Sequence, residues 1–350
     1  AGAGLEALDS VLGTIAECRA AGFPVDSVKI MQDGICENCT GALLAPYTGV
    51  TPETSGESVV PPELLAEIVT ALDARGLRVH FHGVGDRAVR ECLDAVEAAR
   101  RHNGAGVSHQ IAHIDVADPA DLPRFAELGV TANLQPLWAR ADQEILERKL
   151  PMLGEQRARW HFPFGSLERA GTHLAMGSDW PVTSPDPLWG IYTACTRTAP
   201  PADSHARNPE SREPMTPYER LTLESAVRAY TLGGAEIVGV ADRRGRIAIG
   251  HDADLVLPAD VKAAIVSPSL VTGRYVQLTP VYTGGPRWEG QPVPVERTAV
   301  PLGVDDLTRT ATELSRALGP QGANKNGALN DVLNVGAQNL DGNGRALNDT

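Results

Sequence analysis

Residues 79–89 read VHFHGVGDRAV, a short buried strand, then a glycine loop, then the start of a helix. Strand, tight loop and helix start within one short stretch mark a βα unit. His80 and His82 stand two apart on the strand, so period-2 geometry puts them on one face. The same order repeats outward in both directions. Strands are predicted at 27–31, 77–82, 108–113, 130–135 and 172–178. Helices lie between or beside them: GLEALDSVLGTIAECRAAG (4–22), PPELLAEIVTALDARG (61–76), DRAVRECLDAVEAARRH (86–102), DPADLPRFAELG (118–129) and TLESAVRAYTLGGAEIVG (222–239). Prolines open the second of these and a glycine closes it, the usual asymmetry of helix ends. Repeated β-α units with short loops imply a parallel sheet covered by helices. The fold class is α/β, an incomplete TIM-type (β/α) barrel with about five of the eight strands of that fold.

Near residue 238 the pattern changes. RRGRIAIGHDADLVLP (243–258) suggests two short strands around a Gly-His-Asp turn, and AAIVSPSLVTGRYVQLTPVYTGG (263–285) is β-rich without a helix. A proline-rich connection follows. DDLTRTATELSRALG (305–319) then places Leu307, Ala311, Leu314 and Leu318 at helical spacing, before an Asn- and Gly-rich end. The expected divisions are a partial barrel at 1–237, a small β remnant at 238–257, a β-rich segment at 258–303, and a helical or irregular tail at 304–350.

The 350 residues carry a net charge of −13, which disfavours nucleic acid or an anionic membrane as partner. No apolar run reaches the length of a membrane span. The N-terminus has neither an initiating Met nor a basic region of signal-peptide type. Five scattered cysteines, an odd count, argue against a disulfide framework and for a reducing compartment, hence the cytoplasm. Cys36 and Cys39 form a C-x-x-C. No second ligand pair lies near them, so two small loop residues are the favoured reading over a metal or redox site.

Four of the strands each end on, or carry, a side chain fit for metal or proton chemistry. These are Lys29, His82, His113 and Asp179. Parallel β/α barrels place their sites at the C-terminal ends of the strands, where every βα loop opens. One strand-end histidine alone is more often a hydrogen-bonded core residue. Four such side chains in order point to metal-assisted hydrolysis: imidazoles and a carboxylate suit a zinc-type ion that activates water, and Asp179 can act as general base.

The segments VKIMQDGICENCTGALLAPY (28–47), VHFHGVGDRAV (79–89), HQIAHIDVADPADLPRFAELGVTANLQP (109–136) and HLAMGSDWPVTSPDPLWGIYTACTR (173–197) resemble the amidohydrolase superfamily. The resemblance is to amidohydrolase family 3, the group around N-substituted formamide deformylases. It spans roughly residues 1–257 and implies a metal-dependent hydrolase of non-peptide C–N bonds in a small amide-like substrate. It implies that Lys29 is a carbamylated lysine bridging two metals, most simply zinc. His82 and His113 complete one metal shell, and Asp179 binds the other metal and handles the proton. His80 falls at a variable position and is read as a support behind the ligands or as packing, and not as half of a metal-binding pair. Asp86 and Arg87 brace the loop and helix start. Trp180, Pro181 and Trp189 either line the substrate pocket or pack. The family's first-strand His-x-His pair is not found before Lys29, so impaired activity is expected of this chain as a truncated form. Open barrel edges suggest oligomerisation.

From about Leu257 the text, LPADVKAAIVSPSLVTGRYVQLTPVYTGGP and onward, resembles the mammalian-cell-entry (MCE, MlaD-like) family of lipid-transport proteins. The change within DADLVLPADVKAA (252–264) suggests a fusion. An MCE-type lipid-binding module and a non-functional fusion therefore stand as alternatives to the hydrolase.

Overall fold

The alternation is realised as five parallel strands: β1 (Ser27–Met31), β2 (Arg78–Gly83), β3 (Gln110–His113), β4 (Thr131–Leu134) and β5 (Leu174–Met176). They pair in chain order, β1-β2-β3-β4-β5, each beside the one before it. This computed structural model describes residues 2–248, 251, 258–266, 275–280, 284–289 and 292–299. Backbone contacts divide the chain into two units, Ala1–Ala253 and Asp254–Thr350. The first is an open arc of βα units, an incomplete (β/α) barrel, with β1 and β5 at its edges.

The helices follow from apolar spacing. They are α1 (Gly2–Ala20), α2 (Pro62–Asp73), α3 (Asp86–Asn103) and α4 (Leu122–Leu128). In α2, Leu65, Val69 and Leu72 are fully buried; in α3 the buried stripe is Val89, Cys92, Leu93 and Val96. These are the i, i+3, i+4 and i+7 positions of one helix face. They meet Val79, Phe81, Ile111, Ala132 and Leu134 from the outer face of the sheet, all buried in the same core. Each such side chain contributes about 1.5–3 kcal/mol when fully buried.

Strand parity then dictates the inner face. The register sets Lys29 beside His80, His80 beside Gln110, and Gln110 beside Thr131. The next row runs Met31, His82, Ala112, Asn133 and Ala175. Because alternate residues face opposite sides, one face of these strands is apolar and packed while the other carries the polar chemistry.

At the opposite end of the strands a second polar cluster serves stability. His109 Nδ1 accepts the Val79 N–H at 3.0 Å, and its Nε2 donates to Asp73 Oδ1 at 3.0 Å. Asp73 also accepts from Arg100 Nη1 and Asn103 Nδ2, each at 2.9 Å. Burial works to raise the Asp73 carboxyl, but the bond from Asn103 and the nearby His109 and Arg100 outweigh it and leave it lowered. The cluster joins α2, α3, β2 and the approach to β3.

In the second unit, strands Lys262–Val266 and Tyr275–Thr279 pair antiparallel, and Thr298–Ala299 lies parallel beside the first. Residues 243–248, where the first of two short strands was expected, form turn and coil instead. That segment is exposed, with Ile247 98% accessible, so no apolar partner holds it extended. The second expected strand and the tail at 304–350 lie outside the described residues.

Burial lowers His109 to about 4, with Arg100 acting in the same direction and Asp73 against it. An unfolded histidine titrates near ~6.5, so between about pH 6.5 and 4 the unfolded chain binds more protons and stability falls as pH falls. His109→Gln, which loses the pair of bonds to the Val79 N–H and Asp73, should be less stable than wild type at pH 7. Its urea midpoint should also change less across that window than the wild-type midpoint does. Parallel curves for the two proteins would refute the assignment.

Candidate metal centre

The loop that follows β1 carries Asp33, whose side chain is fully buried. Its Oδ1 accepts the Val84 N–H at 3.0 Å, and its Oδ2 accepts those of Gly85 and Ala42, each at 2.9 Å. Burial raises its pKa to about 7 against the pull of these three N–H groups. The glycine is obligatory: a Cβ on Gly85 would lie 2.0 Å from the Ala42 carbonyl oxygen. Asp86 accepts the Leu44 N–H at 2.8 Å, and Arg87 donates to the Gly56 carbonyl at 2.8 Å. Both therefore brace the loop and the helix start.

This clasp holds His82 at the end of β2. Its Nε2 lies 3.0 Å from the Gly34 carbonyl oxygen. A carbonyl only accepts, so Nε2 carries the proton and Nδ1 carries the lone pair. Burial lowers the pKa of this ring, with Lys29 acting the same way and Gly34 and Asp179 opposing.

His113 reaches the same place by a different route. Parity groups it with Ile111, on the packed outer face of β3. Instead, φ is +80° at His113 and +51° at Ile114, and the ring lies 4.5 Å from that of His82, edge to face. Left-handed backbone in non-glycine residues costs about 1–3 kcal/mol per residue and marks functional sites. Trp138 stacks flat on the other side of the ring, centroids 5.1 Å apart. His113 Nδ1 meets Gln135 Oε1 at 2.9 Å, which leaves Nε2 for a ligand. Burial, then His82 and Lys29, hold the ring neutral, with a pKa pushed down to about 3.

Lys29 stands on the inner face and is exposed at its surface; desolvation of its ammonium by the surrounding protein lowers its pKa, opposed by Asp179. Asp179 follows β5 with φ +52° and is exposed. Among the described residues no group of three or more His, Cys, Asp or Glu side chains is arranged to hold a metal. The structure thus brings His82 and His113 together within electrostatic reach of Lys29, and does not draw the Asp179 carboxylate into a ready three-ligand set with them. His80, beside Lys29, keeps a buried Nε2 without a hydrogen-bond partner, and burial lowers it to about 4. The two free imidazole nitrogens beside a lysine suit a borderline divalent ion such as zinc.

A cavity of about 360 Å³ opens at the loop that follows Asp179. Trp180, Pro181 and Trp189 line it, together with Leu137, Arg140 and His205. Arg140 donates Nη1 to the Leu137 carbonyl, its Nη2 lies 2.9 Å from His205 Nδ1, and its Nε lies 3.4 Å from Asp203. Its charge is therefore already matched.

Several supporting residues gave no sequence signal. Lys149 sits in what reads as a solvent-facing stretch, ILERKL, yet is 2% exposed. It pairs with Asp115, two residues after His113, and with Glu37 at 2.7 Å. Burial opposes its charge, but the two carboxylates hold its pKa above the ordinary lysine value. Gln135 reads only as the last residue of the strand predicted at 130–135, and Trp138 as part of the stretch that follows it. The thiol pair, Cys36 and Cys39, is free, as are the other three cysteines.

The family model described as the amidohydrolase family matches residues 6–278. This chain belongs to the amidohydrolase family. The match runs past residue 257, where the second resemblance was read to begin. Protein LONG AFTER FAR-RED 3 of Arabidopsis thaliana is 33% identical over 232 residues, 66% of this chain and 38% of that protein. N-substituted formamide deformylase of Arthrobacter pascens is 28% identical over 183 residues, 52% of this chain and 31% of that one. Among solved structures, an uncharacterized metal-dependent hydrolase from Pyrococcus furiosus matches with a TM-score of 0.52 and 30% identity, covering 65% of this chain and 42% of that chain. This amidohydrolase chain spans less than half the length of the curated relatives it matches. No helix among its described residues is long and apolar enough to cross a membrane.

Two substitutions test the supports of the centre. Gly85→Ala should destabilise by about 3 kcal/mol or more, since its Cβ meets fixed backbone rather than a movable side chain. A urea midpoint close to wild type would refute the clasp. Lys149→Met strands the buried Asp115 and should cost about 3–5 kcal/mol, against less than about 1 kcal/mol if the pair were solvated.

Proposed function

We propose that this amidohydrolase hydrolyses a non-peptide C–N bond of a small amide or formamide, with one divalent ion, zinc, held by His82, His113 and Lys29. The observation that carries the reading is the pair of neutral imidazoles 4.5 Å apart at the ends of adjacent strands, each with one nitrogen committed and one open. Lys29, depressed in pKa by burial, supports the third position, and a carbamate on its Nζ would turn that position into an oxygen donor. When bound, the ion would supply an activated water and polarise the substrate carbonyl.

The remaining roles fall to the chain's own side chains. Asp179 opens onto the same face and would take a proton on its carboxylate from the attacking water, then return it to the leaving amine. Its exposure leaves it free to move between the two. Trp180 and Trp189 would receive the apolar substituent of the amide in the neighbouring cavity, where Arg140, already paired, offers no free charge to a carboxylate. An uncharged substrate with an aromatic or aliphatic group fits best. A second metal position, sharing Lys29 and Asp179, would need further ligands. Five free thiols support a reducing compartment, the cytoplasm.

Elemental analysis tests the reading directly. Monodisperse protein should carry about one zinc per chain, lost in His82→Ala and in His113→Ala. Equal zinc in all three proteins, or none in wild type, would overturn it. Trp180→Ala should raise KM about 10-fold for an aromatic amide with kcat little changed, because the lost contact serves binding and not the chemical step.

A further inference from the structure

Four polar side chains form one hydrogen-bonded line from the inner face of β3 and β4 to the candidate centre. Asn133 Nδ2 donates to Gln110 Oε1 at 2.8 Å. Gln135 Nε2 donates to Asn133 Oδ1 at 3.2 Å. Gln135 Oε1 then meets His113 Nδ1 at 2.9 Å.

A primary amide has a donor end and an acceptor end, and they exchange only if the whole group flips. In this orientation Gln135 turns its NH₂ to Asn133 and presents its oxygen to His113. An oxygen accepts, so Nδ1 must carry the proton and the lone pair must sit on Nε2. The line has few ways out. Gln110, Gln135 and His113 are 7%, 5% and 4% exposed, which limits competition from water. The register neighbours of Asn133 are Ala112 and Ala175, which offer no hydrogen-bonding side chain. His82 differs in kind: its proton is placed by the Gly34 carbonyl, a backbone group no substitution removes.

We infer that Gln110, Asn133 and Gln135 are positioning residues that lock His113 as its Nδ1–H tautomer and keep Nε2 open to a divalent cation. The cation half of this rests on the reading of His82 and His113 as metal ligands. The tautomer half stands on the hydrogen bonds alone. Partners of this kind change metal affinity about 10-fold to 100-fold when removed from liganding histidines.

The experiment uses the full chain, first without metal. Long-range ¹H–¹⁵N correlation spectra of the His113 ring separate the two tautomers. Wild type should show the proton on Nδ1. Asn133→Leu removes the acceptor for Gln135, so its amide can turn and donate to His113; the Nε2–H form should then appear. Asn133→Asp keeps an acceptor oxygen and should retain the wild-type tautomer, which a loss of packing alone would not predict. If Asn133→Leu does not fold, Gln135→Leu asks the same question one bond nearer. Zinc alone, titrated against a competing chelator, should bind Asn133→Leu about 10-fold to 100-fold more weakly than wild type, with Asn133→Asp close to wild type. An Nε2–H ring in wild type, or an unchanged Nδ1–H ring in both leucine variants, overturns the inference. A tautomer that shifts as expected in protein that binds no zinc, wild type included, upholds the relay and overturns the metal-centre reading.

Discussion

The arrangement depends on one buried carboxylate. Asp33 accepts three backbone N–H groups, from Ala42, Val84 and Gly85, and so ties the loop after β1 to the loop after β2. Buried backbone donors demand partners, and here two loops share one acceptor group instead of each folding on itself. The same turn brings the Gly34 carbonyl to His82 and fixes which nitrogen of that ring is free. Gly85 permits the approach, since any side chain there would strike the Ala42 backbone. A carboxylate raised to about 7 by burial, yet held by three N–H groups, is a constraint under tension that loop packing keeps in place.

The second constraint is a departure from parity. A parallel strand delivers alternate side chains to alternate faces, and His113 belongs by count with the packed Ile111. Two successive left-handed residues turn its ring to the other side, towards His82. Such backbone persists only where its surroundings over-determine it. Several contacts do so here. The Ile114 N–H bonds the Gly83 carbonyl, the Phe162 N–H bonds the Asp115 carbonyl, and the Asp115 carboxylate pairs with buried Lys149. The ion pair offsets a desolvation cost of several kcal/mol per charge. Its place two residues beyond the turn suits it to specifying a conformation more than to adding stability.

These features divide the labour of the sheet. The outer face is closed by apolar stripes of α2 and α3, and its packing needs only the right sizes and periods. The inner face holds amides, imidazoles and Lys29, whose value lies in direction: which atom donates, which accepts, and which is left over. An amide line from Gln110 to His113 and a single carbonyl at His82 leave opposite nitrogens free on two neighbouring rings. The cavity at the loop after β5 is lined by two indoles and by an arginine already paired with Asp203.

The sequence by itself determined the βα succession, the position of each of the five parallel strands to within about two residues, and the four side chains carried on or just after four of them. Those are local properties: period-2 and period-3.6 apolar patterns, prolines and glycines at helix ends, and a polar residue on or just after four of the strands. It did not determine that His113 turns back towards His82, because that rests on φ values set by contacts far along the chain. Nor did it reveal Lys149, which looks like any helical surface lysine until Asp115 and Glu37 close over it. The strand expected within 243–248 did not form, since β propensity without an apolar partner leaves the chain solvated. Asp179 lies where its motif places it, but its exposure and its separation from the two histidines are matters of loop geometry. Periodicity reports on a residue's neighbours in sequence. The direction of a lone pair depends on neighbours in space, and only the tertiary structure supplies those.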